Sequence, residues 1–194
     1  MRRRHIARIV LCGAALAACL PGAARADQQR DPELKSLLQK IIGDADCFAD
    51  KYDAEVWHKA MEPRLRRFVA SHEERISILD HVYCEARRDP ALKLPPDLVM
   101  ALIEVESRFD PWAVSPAGAV GLMQVMPFWP DELGVRNQLV RVAPNIRMGC
   151  EILRFYLRAE NHDWPRALAR YNGSVGRRAY PELVMARWQH AWRF

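Results

Sequence analysis

The sequence predicts a mainly α fold in which extra N-terminal helices precede a helical domain. A short irregular or hairpin segment is expected after the first helix of that domain. Apolar residues recur at three- and four-residue spacings along most of the chain, which is the period of an amphipathic helix. Prolines and glycines are concentrated instead in residues 110–121, where they permit tight turns. About 168 residues remain after a removable leader, and this length fits one domain of common size.

Residues 1–26 have the three parts of an export signal. A basic start is followed by the apolar run Ile9–Leu20, which is too short to span a bilayer as a helix. A proline and the small-x-small site Ala24–Ala26 then predict cleavage after Ala26. The alternative is the lipobox-like stretch Leu16–Cys19, whose use would leave Cys19 lipidated as a membrane anchor.

The net basic charge of the whole chain comes from this leader. The chain carries 29 Lys and Arg against 24 Asp and Glu. Five arginines and no acidic residue precede Asp27, which leaves a formally neutral mature chain of 24 against 24. We therefore expect no nucleic-acid partner.

Three cysteines, Cys47, Cys84 and Cys150, remain after the leader, so at most one internal disulfide can form. An exported protein can hold a disulfide, but the sequence leaves the pair open. Cys150 lies within an apolar helical run and is predicted to be a small core residue. No Cys or His group has metal-ligand spacing, so the sequence predicts neither a metal nor a cofactor.

Residues 27–93 are predicted to form a helical extension that packs on the domain of residues 94–194. Three amphipathic stripes support this extension. The first helix opens at Asp31-Pro32, and Ser71 with Glu74 forms a capping box for the third. The residues of the third helix expected to face inward are Ile76, Leu79, Val82, Tyr83 and Ala86.

The helix that begins at Pro96 carries the main candidate for chemistry, Glu106. The apolar residues that share a helical face with it are Val99, Leu102 and Ile103. A carboxyl group at the end of such a stripe is partly desolvated, which raises its pKa and suits a general acid near neutral pH. Glu104 is predicted instead to be a surface charge that pairs with Arg108 across one turn.

Turns and three further helices follow that helix. The small residues of 110–121 can bring Ser115 and Gln124 back over the end of the helix. A short helix from Phe128 to Gly134 contains Trp129, which is predicted to pack in the core rather than to stack on a ligand. The last two helices are expected over residues 144–160 and 164–173.

Three stretches around the helix end, Glu106-Ser107, Phe109–Pro111 and Ser115–Pro127, form a long, ordered motif. This motif closely resembles the signature of the soluble-lytic-transglycosylase (SLT) domain, a lysozyme-like family that cleaves peptidoglycan. Ala169–Gly173 resembles a later family motif, Ala-x-Tyr-Asn-Ala-Gly, with Gly173-Ser174 in place of its last two residues. The resemblance covers roughly the second half of the chain.

The resemblance implies a lysozyme-like α+β fold and an exported, periplasmic lytic transglycosylase that acts on peptidoglycan glycan strands. It implies non-hydrolytic cleavage of the MurNAc–GlcNAc β-1,4 bond to 1,6-anhydro-MurNAc ends, with Glu106 acting first as acid and then as base. Tyr171 takes the place of the family tyrosine that hydrogen-bonds near the catalytic glutamate. The implied substrate-binding residues are Ser115, Gln124, Met126, Tyr171 and Asn172. Residues 176–181 replace the family's Glu-Thr-Arg-x-Tyr-Val segment and lack its glutamate.

The number of carboxyl groups bears on the reaction. Glycoside hydrolysis normally uses two, and Asp110, four residues after Glu106, is expected to cap its own turn. A single acid suits an intramolecular reaction, in which the sugar's own C6 hydroxyl attacks C1. Two alternatives stay open: a lysozyme-type hydrolase that uses Asp110 or another carboxylate, and a non-catalytic envelope or wall-binding protein with the same fold.

Overall fold

A computed structural model describes residues 31–40, 51–133 and 138–194. The predicted export signal, the lipobox-like alternative and Cys47 lie outside these described residues. Within them the chain forms eight α-helices, one π-helical turn and no strand, so the mainly α prediction is confirmed. The elements are α1 (Pro32–Lys40), α2 (Lys51–Leu65), α3 (His72–Arg87), α4 (Pro96–Ser107), α5 (Phe128–Leu133), α6 (Val142–Ala159), α7 (Trp164–Asn172), α8 (Ala179–Arg187) and the π-helical turn Trp188–Trp192. In this part of the chain no helix has the length and apolar character needed to cross a membrane.

The first three helices lie against the later ones, because α1 contacts α5 and α6 while α3 contacts α4 and α6. The predicted cap of α3 is present, with Ser71 Oγ accepting a hydrogen bond from the Glu74 amide at 3.2 Å. Ile78 occupies the buried position expected of Ile76, which is half-buried. These contacts fit an extension packed on the remaining helices, and the boundary at residue 93 stays a prediction.

A buried ion pair joins α3 to α6, and another lies within α6. Arg147 Nε donates to Glu85 Oε1 at 3.0 Å, and Arg154 Nη1 donates to Glu151 Oε2 at 3.0 Å. All four side chains are buried, so loss of one partner would leave an uncompensated charge in the interior. Near this network Cys84 is disulfide-bonded and Cys150 is a buried free thiol, as predicted for a small core residue.

Helix α4 is the apolar centre of the domain. Every residue from Leu98 to Ile103 is fully buried, and α4 packs against α8 and the π-helical turn. The helix ends in two consecutive non-glycine residues with positive φ, Arg108 at 53° and Phe109 at 66°. The irregular segment that follows forms isolated antiparallel bridges from Val120 to Val114 and Val125, which confirms the predicted hairpin.

Candidate active site

Glu106 lies in the last turn of α4 and is half-buried. Desolvation raises the pKa of its carboxyl group to about 7, although the hydrogen bond that the Tyr180 hydroxyl donates to Oε1 opposes the rise. A carboxyl group with this pKa is partly protonated near neutral pH, so it can donate a proton and then take one back. The desolvation expected from its helical face is therefore present.

The tyrosine that contacts Glu106 is Tyr180, at the start of α8, which sequence reasoning missed. Tyr171 is buried in α7 and its hydroxyl donates instead to the Met123 carbonyl at 2.7 Å. Burial, and then the negative charge of Glu106, raise the pKa of Tyr171 well above its usual value, so Tyr171 lies within the field of the carboxylate. Tyr180 stands at the tyrosine position of the divergent segment 176–181, a signal that could have identified it.

Glu104 is not the surface charge that the sequence predicted. It is only 8% exposed, because the π-helical turn covers its face of α4. Trp192 Nε1 donates to Glu104 Oε2 at 2.7 Å, and Arg187 Nε lies 3.6 Å from Oε1. The expected partner, Arg108, points its guanidinium group at the Phe68 ring, 5.8 Å from the ring centroid.

Asn145 of α6 fixes the turn that follows Val120. Its Oδ1 accepts from the Met123 amide at 2.7 Å, and its Nδ2 donates to the carbonyls of Val120 at 2.9 Å and Leu139 at 2.8 Å. The side chain is fully buried and both ends of its amide are used. Sequence reasoning missed Asn145, although an amide inside an apolar helical stripe was a usable signal.

Two glycines allow this turn to approach α6. Gly121 has a φ of 81°, and a Cβ there would lie 2.2 Å from the Leu139 carbonyl oxygen, so another residue would be both strained and obstructed. A Cβ on Gly149, inside α6, would lie 2.5 Å from Met123 Sδ and 2.6 Å from Met123 Cβ. The turn therefore packs on the helix backbone itself.

Two of the predicted substrate-binding residues brace the irregular segment with the bridges at Val120, residues 110–125, which is called the hairpin segment below. Ser115 Oγ accepts from the Ala119 amide at 3.0 Å. Gln124 is buried, has a φ of 49°, and donates from Nε2 to the carbonyls of Ala113 at 3.1 Å and Gly121 at 3.0 Å. These bonds make both side chains internal braces of the segment, and their role towards a substrate stays a prediction.

The remaining residues singled out by the sequence differ in exposure. Met126 is half-buried against the core, and Asn172 is the half-buried last residue of α7. Asp110 is exposed and its Oδ1 accepts from the Trp112 amide at 2.8 Å, which is the turn cap that the sequence predicted. Trp129 is fully buried, so its prediction as a core residue is confirmed.

An apolar surface that the sequence analysis did not identify lies on the same segment. Trp112 is 70% exposed and Val114 is 67% exposed. Both belong to the stretch between Glu106 and Gln124.

Comparisons with known proteins agree on one family. The model of the transglycosylase SLT domain matches residues 84–182. Membrane-bound lytic murein transglycosylase C of Actinobacillus pleuropneumoniae serotype 5b is 56% identical over 34 residues, which are 18% of this chain and 9% of that protein. The transglycosylase of Enterobacteria phage PRD1 is 35% identical over 99 residues, covering 47% of this chain and 37% of the phage protein.

Two solved structures were also matched, at low similarity. The 70 kDa soluble lytic transglycosylase of Escherichia coli has a TM-score of 0.43 and 24% identity, over 69% of this chain and 21% of that one. An inactive mutant of lytic transglycosylase Slt from Pseudomonas aeruginosa has a TM-score of 0.39 and 18% identity, over 84% of this chain and 42% of that one. The chain thus spans only a small part of several of the proteins that it matches. The family model itself covers just over half of the present chain, which therefore belongs to the transglycosylase SLT domain family.

Proposed function

We propose that this protein is a lytic transglycosylase that cleaves the MurNAc–GlcNAc β-1,4 bond of peptidoglycan. The observation that carries the proposal is the desolvated carboxyl of Glu106, with a pKa of about 7 and a neutral hydroxyl as its hydrogen-bond partner. It supports one group that alternates between acid and base. Asp110, the nearest candidate for a second carboxylate, is exposed and bonded within its own turn.

In the proposed reaction Glu106 first protonates the glycosidic oxygen as the bond to C1 breaks. The resulting carboxylate keeps the hydrogen bond from Tyr180, which favours the charged form. The C6 hydroxyl of the same MurNAc then attacks C1 and gives its proton to Glu106. The product is a 1,6-anhydro-MurNAc end, and Glu106 is again protonated for the next cycle. Because the nucleophile belongs to the substrate, no base is needed to activate water.

The glycan strand would lie against the wall formed by the hairpin segment and α7. In this proposal Ser115, Gln124 and Tyr171 shape the wall, while Met126 and Asn172 contact the sugar from its edge. Residues 94–194 would form the catalytic domain, with residues 27–93 packed on it as an extension. The enzyme would work in the periplasm after export. Incorporation of a labelled fatty acid would decide between the predicted cut after Ala26 and an anchor at Cys19.

The test is mass analysis of the products released from purified cell-wall sacculi. We expect anhydro products, lighter by one water than the hydrolytic ones, and no label from H₂¹⁸O at the new ends. Glu106→Gln should release them at least about a hundredfold more slowly. Products with ¹⁸O-labelled reducing ends would establish the lysozyme-type alternative, and no release by the folded parent would leave the non-catalytic one.

A further inference from the structure

The chain after Gly176 packs against α4 and contacts three of its acidic side chains. Tyr180 donates to Glu106 near the end of α4. Trp192 Nε1 donates to Glu104 at 2.7 Å, and Trp188 Nε1 donates to Asp97, at the start of the helix, at 2.7 Å. The Tyr180 bond joins α8 to α4, and the two tryptophan bonds join α4 to the π-helical turn that directly follows α8. Together these bonds fix the position of α8 on α4.

Trp192 also contacts the turn that follows Glu106. Its ring lies 5.4 Å from the Phe109 ring and 6.2 Å from the Phe68 ring, and those two rings are 5.2 Å apart. Phe109 is buried with a positive φ of 66°, a backbone state that persists in a bulky residue only when its surroundings hold it. Trp192 therefore contacts residues on both sides of Glu106 in the sequence.

The backbone around Trp192 is itself unusual. Residues Trp188–Trp192 form a π-helical turn directly after α8. Such turns are rare in proteins, and those that occur are often found at functional sites. Arg64 of α2 donates to the carbonyls of Ala191 at 3.3 Å and Arg193 at 3.2 Å, so the N-terminal helices hold this turn in place. Trp192 itself is fully buried.

We propose that Trp192 is a positioning residue that holds the Tyr180 hydroxyl on Glu106. Its indole N–H sets the register of the π-helical turn on α4 through Glu104, and so the register of the helix α8 that leads into this turn. Its ring supports the strained turn at Phe109. The Tyr180 hydroxyl reaches Glu106 only when α8 and the end of α4 keep their relative position. The consequence for catalysis rests on the proposed function, whereas the geometric coupling does not.

The test measures the pKa of Glu106 by ¹³C NMR of glutamate-labelled protein, with Glu106→Gln used to assign the signal. The titratable groups that face this carboxyl are Tyr180 from α8 and Tyr171 from α7. Tyr180→Phe should raise the pKa by about half a unit or more, since it removes the bond that opposes desolvation. Trp192→Phe keeps a ring but loses the N–H, and should raise the pKa in the same direction. The double variant should raise the pKa of Glu106 no further than Tyr180→Phe alone does.

Trp57→Phe is the matched control. Trp57 is also buried, and its Nε1 donates to the Leu79 carbonyl at 3.0 Å, so the same chemical change is made among the N-terminal helices. We expect it to lower stability without moving the pKa of Glu106. An equal shift in Trp57→Phe, or no shift in Trp192→Phe, would overturn the proposal.

Glu104 provides a second route if Trp192→Phe does not fold. Glu104→Met removes the acceptor and should raise the pKa of Glu106, whereas Glu104→Gln keeps an acceptor oxygen and should leave it at the parental value. Equal pKa values in these two variants would contradict the register role. On sacculi, Trp192→Phe should lower kcat with little change in KM. A protein that never cleaves sacculi yet shows these pKa shifts would refute the proposed function and keep the positioning role.

Discussion

Two glutamates on different faces of α4 have contrasting partners. Glu104 receives an indole N–H from Trp192 and lies beside the guanidinium group of Arg187, so its charge is compensated. Glu106, two residues later, receives a neutral tyrosine hydroxyl, and desolvation raises its pKa to about 7. Both residues are glutamates near the end of the same helix, and Glu104 is the more buried of the two. What separates a structural carboxylate from a candidate acid is the set of partners that the chain after residue 176 brings to each face.

Exchanging each glutamate for glutamine is the strongest way to test this difference. Glu106→Gln removes the transferable proton and should lower the cleavage rate by about 10²–10⁴-fold or more. Glu104→Gln keeps an oxygen for the Trp192 N–H and should stay within about threefold of the parent, because only a half-exposed ion pair is lost. The release of soluble fragments from sacculi measures both rates. Similar losses in the two variants would contradict the division of roles.

Removing Asn145, which holds the turn at Met123 against α6, should have the next largest effect. Asn145→Ala deletes two hydrogen bonds to the turn at Met123 and one to Leu139, so the free energy of unfolding should fall by about 2–4 kcal/mol. The displaced wall should also slow cleavage by about tenfold or more, since small misplacements near the reacting groups are costly. Urea unfolding and the sacculus assay measure the two effects. Gln189→Ala, which changes an exposed amide, should alter neither.

The pH dependence of cleavage should reflect the titration of Glu106 and not of Glu104. Glu106 must start the reaction protonated, so kcat/KM should decline as pH rises through about 7, by tenfold per unit beyond it. Soluble glycan fragments allow this measurement without the changing charge of whole sacculi. A rate that is flat across neutral pH would show that another group donates the proton.

Stability should respond to pH in the same region. A carboxyl with a raised pKa in the folded state stabilises the fold fully below the unfolded pKa of 4.5, and this contribution is lost as pH rises towards about 7. Glu106→Gln lacks this loss, so its Tm relative to the parent should increase between these pH values and then level off. Thermal unfolding by circular dichroism measures the difference. A constant Tm difference would mean that the carboxyl is not desolvated.

Arg187→Ala should have the smallest effect. The Arg187 side chain is about half exposed, and its Nε lies 3.6 Å from Glu104 Oε1, so the pair should contribute less than about 1 kcal/mol. Cleavage should be unchanged because the Trp192 bond to Glu104 remains. A loss larger than that of Glu104→Gln would show that the cation, and not the indole, holds this face.

The helices from α1 to α7 could be predicted because each carries a local signal. Amphipathic spacing marked their faces, and Ser71 marked the start of α3. The segment α8 with the π-helical turn was missed, since it is short and its buried residues are few. Helix starts were also predicted within a few residues; α6, for example, begins at Val142 rather than at Pro144.

The site was predictable only where its residues are near in sequence. Glu106 could be found from its own helical stripe and from the motif that follows it. Tyr180 and Trp192 lie 74 and 88 residues beyond the glutamates that they contact, and no periodic pattern encodes such a pairing. The error on Glu104 has the same cause, because its cover comes from that later segment.

Gly149 limits how this protein can be engineered. Replacing a helix glycine with alanine usually gains up to about 1 kcal/mol, so a routine thermostabilising screen would choose this position. Here the added methyl would collide with Met123, whose carbonyl accepts the Tyr171 hydroxyl. A variant selected for a more regular α6 would therefore displace Met123 and the turn that carries it, and such screens should leave Gly149 unchanged.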